Sequence, residues 1–307
     1  MIMDPIEAIH VEKDSSFAML LESQRRGYKN YYLQQQDLFL QNGQPYAQLQ
    51  AIRVFDDAKH WFELDEKITL PLSEFEFIFM RTDPPLTMQY IYTTQILDLA
   101  EQAGVVVVNK PQSLRDFNEK LFISYFPDCC VPTLVSSDAT HIKKFLTIHK
   151  DIICKPLDGM GGQGVFRVKE NDANIGVIIE TLTQQTHQRC MVQRYIPEIV
   201  NGDKRILLIN GEPIPYALAR MPQSGETRAN LAAGGKGIAR ELTVRDRWIC
   251  QQVKPMLQAK GLYFVGIDVI GDYLTEINIT SPTCIRQLDE QCNLNIAGQL
   301  FDFLECD

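Results

Sequence analysis

The chain has no C-x-x-C pair, no G-x-S-x-G and no two histidines at zinc spacing. Serine-hydrolase and zinc chemistry therefore have no support. No apolar run reaches the ~18 residues that a membrane helix needs, so no span is expected. Positive charge is the scarcer sign: 30 Lys and Arg stand against 39 Asp and Glu, a net charge of −9. That balance argues against nucleic acid as the main partner, while leaving room for a locally basic cleft. The start, Met1-Ile2-Met3-Asp4-Pro5, lacks the charged and apolar regions of a signal peptide. A cytoplasmic chain with reduced thiols is the expectation, and the eight cysteines read as small core residues, Cys154 and Cys190 most clearly.

What is present is ordinary for a globular protein: 45% hydrophobic and 22% charged residues over 307 positions, enough for two or three domains. Asp14 or Ser15 caps a helix that Gly27 stops. Asn42-Gly43 lies between two strand-like runs, a hairpin signal. Phe75 to Arg81 reads as a buried strand, Thr87 to Ala103 as a helix and Val105 to Val108 as a parallel strand covered on both faces. Strand and helix alternate here, which predicts an open α/β layer with Arg81 at a ligand-facing strand end. Asn118 to Phe126 reads as a helix containing Lys120. A smaller alternating unit follows to Tyr195, then longer strands around Asn210-Gly211. Pro222 to Arg240 reads as a long glycine- and alanine-rich loop, either a lid or a surface loop. The division is 1–117, 118–196 and 197–307.

Three stretches can carry chemistry. Lys155 to Gly164 runs from a strand end into glycines, whose backbone N–H groups can approach phosphate oxygens, with Lys155 placed at the rim as a point charge. It is not the Walker pattern, and a plain hairpin turn explains the glycines equally well. Gln193-Arg194-Tyr195-Ile196-Pro197 ends a strand where an adenine ring could meet main-chain groups; an edge strand stopped by proline is the alternative. Asp203 and Arg205 begin one strand and Arg220 ends its partner, so alternation can direct both arginines into one cleft.

Val265 to Asp268 and Leu274 to Asn278 form a hairpin with hard oxygen ligands. Asp268, Glu276 and Asn278 suit Mg²⁺, or are solvent-facing polar residues. A two-residue turn at Gly271-Asp272 would pair Asp268 with Thr275 and set Asp268 on the face opposite Glu276. An odd loop, most simply Gly271-Asp272-Tyr273, or a bulge of the same effect, places Asp268 opposite Glu276. It also gathers Ile267, Val269, Ile277 and Ile279 on one apolar face, which favours it.

Asp14 to Met19, Asn109 to Asp116, Asn118-Glu119-Lys120-Leu121, Lys155 to Gly162, Gly225 to Arg228, Asn230 to Gly235 and Thr275 to Thr283, in this order, resemble the ATP-grasp superfamily and within it the bacterial glutathione synthetases. The resemblance covers essentially the whole chain. It implies an ATP-grasp fold, α/β (α+β) in class, behind an N-terminal open α/β domain. It implies ligation of γ-glutamylcysteine and glycine with ATP as co-substrate, through an acyl phosphate. By matching position, Lys120, Lys155, Gly161 and Gly162 hold phosphates; Gln193, Arg194, Tyr195, Ile196 and Asp203 complete the nucleotide site. Asp268, Glu276 and Asn278 hold two Mg²⁺, or Mn²⁺. Arg205 and Arg220 stabilise the transferring phosphoryl group, and Arg81, Arg228, Asn230 and Arg286 meet the peptide or glycine. A homo-oligomer, often a tetramer, is implied, with no membrane or nucleic-acid partner. Two departures stand out: the first strand is a stub, and Arg194 sits where asparagine is common. Another ligase of the superfamily would share the metal and phosphate residues but not the Gly225–Gly235 segment. A non-catalytic ATP-binding regulator would lack one of Lys155, Arg220, Glu276 or Asn278, and all four are present.

Overall fold

The computed structural model describes residues 1–221 and 236–306. The first part of the chain holds β1 (Ile2–Met3), α1 (Ser15–Arg25), β2 (Tyr31–Tyr32), β3 (Leu38–Gln41), β4 (Gln44–Val54), β5 (Phe62–Pro71), β6 (Phe77–Arg81), α2 (Met88–Gln102), β7 (Val106–Val108) and α3 (Pro111–Asp116). Local chemistry sets the helix starts. The Asp14 carboxylate accepts the Phe17 N–H at 2.7 Å, and the Thr87 hydroxyl accepts the Tyr90 N–H at 3.2 Å. The expected single α/β layer is in fact two sheets. β1, β6 and β7 make a three-stranded parallel sheet, while β2, β3, β4 and β5 form a separate antiparallel one. The stub β1 pairs with β6, Met3 beside Arg81.

The middle of the chain holds β8 (Thr133–Ser136), α4 (Ala139–His149), β9 (Asp151–Pro156), β10 (Phe166–Lys169), α5 (Ile175–Thr183) and β11 (Cys190–Arg194), with strand order β10-β9-β11-β8. The expected helix from Asn118 is a 3₁₀ segment, Leu121–Tyr125. The Asn118 side chain takes the N–H groups of Lys120 and Leu121 at 3.1 and 3.0 Å and delays helix entry.

The last part holds β12 (Asp203–Ile209), β13 (Glu212–Met221), β14 (Lys236–Glu241), α6 (Val244–Ala259), β15 (Phe264–Ile270), β16 (Tyr273–Asn278), α7 (Ile285–Cys292) and α8 (Ile296–Leu304). The sheet order is β14-β13-β12-β15-β16, all antiparallel. Residues 236–240, read as loop from composition, are strand; residues 222–235 of that stretch lie outside the described residues.

One apolar core joins Leu97 and Val107 of the N-terminal unit to Ile206, Val265 and Ile277 of the last sheet. A polar staple crosses the same boundary. The buried Asn109 amide donates to the Phe264 and Ile279 carbonyls at 2.8 and 2.7 Å and accepts the Phe264 N–H at 2.8 Å. The described cysteines are all free. No helix among the described residues is long and apolar enough to cross a membrane.

Candidate active site

A cleft of about 830 Å³ lies where strand ends of three sheets meet: Arg81 from β6, Lys155 from β9, Gln193 from β11, and Asp203, Arg205 and Asp268 from β12 and β15. Lys120, Gly161, Gly162, Arg194, Tyr195, Ile196, Arg220, Glu276 and Asn278 also line it.

The β15–β16 hairpin sets the floor. Its turn has two residues, with Ile270 opposite Tyr273 and Val269 opposite Leu274, yet Asp268 lies opposite Glu276. The odd-numbered loop is absent; a bulge that leaves Thr275 unpaired shifts the register instead. The Thr275 hydroxyl donates to the Asp268 carbonyl at 3.1 Å and helps hold it. Ile267, Val269, Ile277 and Ile279 consequently fall on the core side, each 0% exposed. Asp268, Glu276 and Asn278 take the cleft side.

Arg205 and Arg220 do reach one cleft, where carboxylates hold them. Arg205 grips Asp268 with two bonds, Nε to Oδ1 at 2.5 Å and Nη2 to Oδ2 at 3.0 Å. Arg220 Nη2 lies 2.5 Å from Asp203 Oδ2 and 2.8 Å from Asp268 Oδ2. Burial alone would raise both carboxyls. For Asp268 the two guanidinium groups prevail and hold it below the usual carboxylate range. For Asp203 burial prevails over Arg220 and pushes the carboxyl up. Asp203 Oδ1 and Arg220 Nε are buried and have no hydrogen-bond partner among the described residues.

Lys155 is deeper than a rim position, 5% exposed. Its ammonium lies 3.2 Å from the Thr275 carbonyl and 3.4 Å from Glu276. Burial lowers its pKa, against the pull of Glu276 and with help from Lys120. Lys120 bonds the Gly159 carbonyl and stands 3.8 Å from Glu276. Gly161 and Gly162 have φ of +62° and +80°, and a side chain at Gly161 would meet open space. Consecutive left-handed glycines are the backbone geometry from which anion-binding nests are built.

At the other end, Gln193 donates to the Thr133 hydroxyl at 3.2 Å, and the Arg194 guanidinium stands 5.5 Å from the Tyr273 ring centre. The Arg194 and Tyr195 N–H groups are taken by the Pro132 and Asp151 carbonyls at 3.1 and 3.0 Å. Arg81 donates to the Ser16 hydroxyl at 3.0 Å and the Pro282 carbonyl at 2.8 Å, and burial lowers its pKa to about 10. Arg286 is not brought in: it pairs with Asp56 at 2.7 Å and does not line the cleft. Arg228 and Asn230 lie outside the described residues.

The donor set fits a hard divalent cation. Asp268 and Glu276 present carboxylates on facing strands, that of Asp268 shared with Arg205 and Arg220 and that of Glu276 with Lys155 and Lys120. Asn278 spends its amide N–H on the Gly266 carbonyl at 3.2 Å, leaving its oxygen as the atom for a cation. Two lysines within 4 Å of Glu276 place positive charge beside it. Residue-type reasoning missed Glu119, which lines the cleft beside Lys120. Its only trace in the sequence is its place within the Asn118–Leu121 stretch.

Comparison with known proteins follows the same lines. The family model described as prokaryotic glutathione synthetase, N-terminal domain, matches residues 1–115, and that of the ATP-grasp domain matches residues 119–293. The chain is 55% identical to the glutathione synthetase of Pseudomonas putida over 304 residues, covering 99% of this chain and 96% of that one. It is 54% identical to that of Shewanella oneidensis with the same coverage. Among solved structures, D-cycloserine synthetase DcsG superposes with a TM-score of 0.69 at 14% identity, covering 99% of this chain and 98% of that one. The ATP-grasp ligase PsnB, complexed with minimal precursor, gives 0.64 at 16%, covering 99% and 97%. At such identities these two speak for the fold, which is ATP-grasp.

Proposed function

The chain belongs to the prokaryotic glutathione synthetase family, and from that premise we propose how its cleft joins γ-glutamylcysteine to glycine with ATP as the energy source. The enzyme is an ATP-dependent carbon–nitrogen ligase. The cysteinyl carboxylate takes the γ-phosphoryl group, giving an acyl phosphate and ADP. The glycine amine then attacks the acyl carbon, phosphate leaves, and glutathione remains.

The observation that carries the assignment of roles is the sharing of one cleft face by Asp268, Glu276, Lys155, Arg205 and Arg220. Lys120 and Lys155 hold phosphates under the Gly161–Gly162 backbone. Lys120 exchanges its bond to Gly159 for one to an anion. The Arg194 and Tyr195 N–H groups are engaged, so Ile196 supplies the donor for the adenine, and Asp203 Oδ1 accepts from the nucleotide. Arg220 keeps Nε free, which suits it to the oxygens of the transferring group, with Arg205 beside it. Arg81 meets the dipeptide; Arg228 and Asn230 keep their expected substrate roles, and Arg286 is left out. Asp268, Glu276 and Asn278 would hold the divalent metal, in our reading two Mg²⁺ with Mn²⁺ as substitute, which would supply neutralisation of phosphate charge. A tetrameric assembly and a cytoplasmic location, both implied by the resemblance, belong to the same proposal.

The test is phosphate release from ATP with γ-glutamylcysteine, with and without glycine. Release that requires the dipeptide, and sustained turnover only with glycine, is expected. Release indifferent to both amino-acid substrates would contradict the proposal.

A further inference from the structure

β16, which carries Glu276 and Asn278, is the outer strand of its sheet and, among the described residues, pairs only with β15. On its other edge Lys155 lies 3.2 Å from the Thr275 carbonyl, and Glu119 meets the strand's far end. The Ile277 N–H donates to the main-chain carbonyl of Glu119 at 2.9 Å. Just past the strand, the Ile279 and Thr280 N–H groups donate to Glu119 Oε1 at 2.9 and 3.1 Å, and the Thr280 hydroxyl donates to the same oxygen at 2.9 Å. Asn278 is therefore flanked by two chain neighbours whose N–H groups both end on Glu119.

The residues on either side of Glu119 reach the opposite wall. Asn118 donates to the Leu157 carbonyl at 3.0 Å, at the head of the glycine-rich loop, and Lys120 bonds the Gly159 carbonyl within it. Burial raises the Glu119 pKa, and its three donors offset only part of that. Glu119 makes no salt bridge among the described residues. What the carboxylate does make is a three-donor clamp on the chain that follows Asn278.

We propose that Glu119 is a positioning residue: Oε1 fixes the end of the strand that presents Glu276 and Asn278, and its place between Asn118 and Lys120 ties that strand to the glycine-rich loop. Phosphate wall and cation wall are thereby set as one unit. The inference rests on the reading that Glu276 and Asn278 hold the cation. Partners that orient ligands in this way change metal affinity by about 10–100-fold when lost.

The experiment separates position from charge. Mn²⁺ binding to the full-length protein with ADP is followed by the loss of the free-Mn²⁺ electron paramagnetic resonance signal, for wild type, E119Q, E119D and E276Q. Metal-free thermal melting is recorded alongside to verify folding. The Gln side chain keeps an acceptor oxygen at the same reach without charge, so E119Q should bind Mn²⁺ within about threefold of wild type, against the 10–100-fold expected of a lost partner. The Asp side chain keeps the charge but withdraws the oxygen by about 1.5 Å, one carbon–carbon bond. E119D should therefore lose about tenfold or more in affinity. Any other pattern in that pair overturns the positioning role; loss in E119Q with retention in E119D would show the charge acting on the cation. E276Q tests the underlying reading: wild-type Mn²⁺ affinity there would remove it, whereas weakened binding with both Glu119 variants unaffected would remove only the present inference.

Discussion

Asp268 lies directly opposite Glu276 although the turn joining their strands has only two residues. The unpaired Thr275 makes this possible. Without that bulge, side-chain alternation would send Asp268 and Glu276 to opposite faces, one of them into the core. The bulge is thus what allows an apolar floor and an oxygen-rich cleft face to coexist on one hairpin.

Glu276→Gln removes one charge at nearly constant volume from a residue that faces the cleft. Turnover should fall by about two orders of magnitude or more, on the scale of losing one transition-state contact. The midpoint of thermal unfolding should barely move. A variant with near-normal turnover at low Mg²⁺ would be incompatible with the assigned role.

Asp268→Asn should cost stability as well as activity. It leaves Arg205 and Arg220 buried with Asp203 alone, a loss of about 3–5 kcal/mol for a broken buried pair. Asp268 has a folded pKa below its unfolded one. Its stabilisation is therefore present above the ordinary value of about 3.9 and lost as pH falls through the folded value. Denaturant melts should show a constant gap between wild type and variant from pH 8 down to about 5, with closure only in stronger acid. A gap that vanishes between pH 7 and pH 5 would assign the effect to another group.

Lys155→Met should separate function from folding. The ammonium is buried with a lowered pKa, and its carboxylate partner Glu276 is 26% exposed. Removing the charge should lower kcat/KM for ATP by about 100-fold or more, while the melting temperature holds or rises. A parallel collapse of both would mean that Lys155 serves the fold.

Arg286→Ala should do little. Its ion pair with Asp56 is exposed on the Asp56 side, at 60%, and such pairs contribute about 0–1 kcal/mol. Steady-state kinetics should show KM values for all three substrates within about twofold of wild type, since no cleft contact is lost. A large rise in the KM for glycine or dipeptide would restore Arg286 to the substrate site.

Much of this was legible in the residues. Asp14 and Thr87 announce their helices, both Asn-Gly pairs lie in hairpin turns, and the face shared by Asp268 and Glu276 followed from the demand that Ile267, Val269, Ile277 and Ile279 be buried together. The device was not legible, because a bulge at Thr275 leaves no compositional mark and an odd loop meets the same demand. β5 was missed because Asp65, Glu66 and Lys67 interrupt the alternation of Phe62, Leu64, Ile68 and Leu70, and most of the strand is exposed. The role of Glu119 depends on partners 160 residues away, a separation that no local pattern encodes. The depth of Lys155 likewise comes from Thr275 and Glu276, which only the assembled sheet brings near.

Asn109 has a mechanical consequence. Together with the Lys110 N–H on the Gly261 carbonyl at 3.1 Å and the Ser113 hydroxyl on the Lys260 carbonyl at 2.5 Å, it makes the N-terminal sheet and the β15–β16 hairpin a single anvil. The four-stranded middle unit, which carries Lys155 and the glycine-rich loop, meets that anvil through Met191, which shares its core, and through the Lys155 ammonium, 3.2 Å from the Thr275 carbonyl. Asn118–Lys120 is bonded to both, to the Leu157 and Gly159 carbonyls on that unit and to the Ile277, Ile279 and Thr280 N–H groups on the anvil, and is the strap between them.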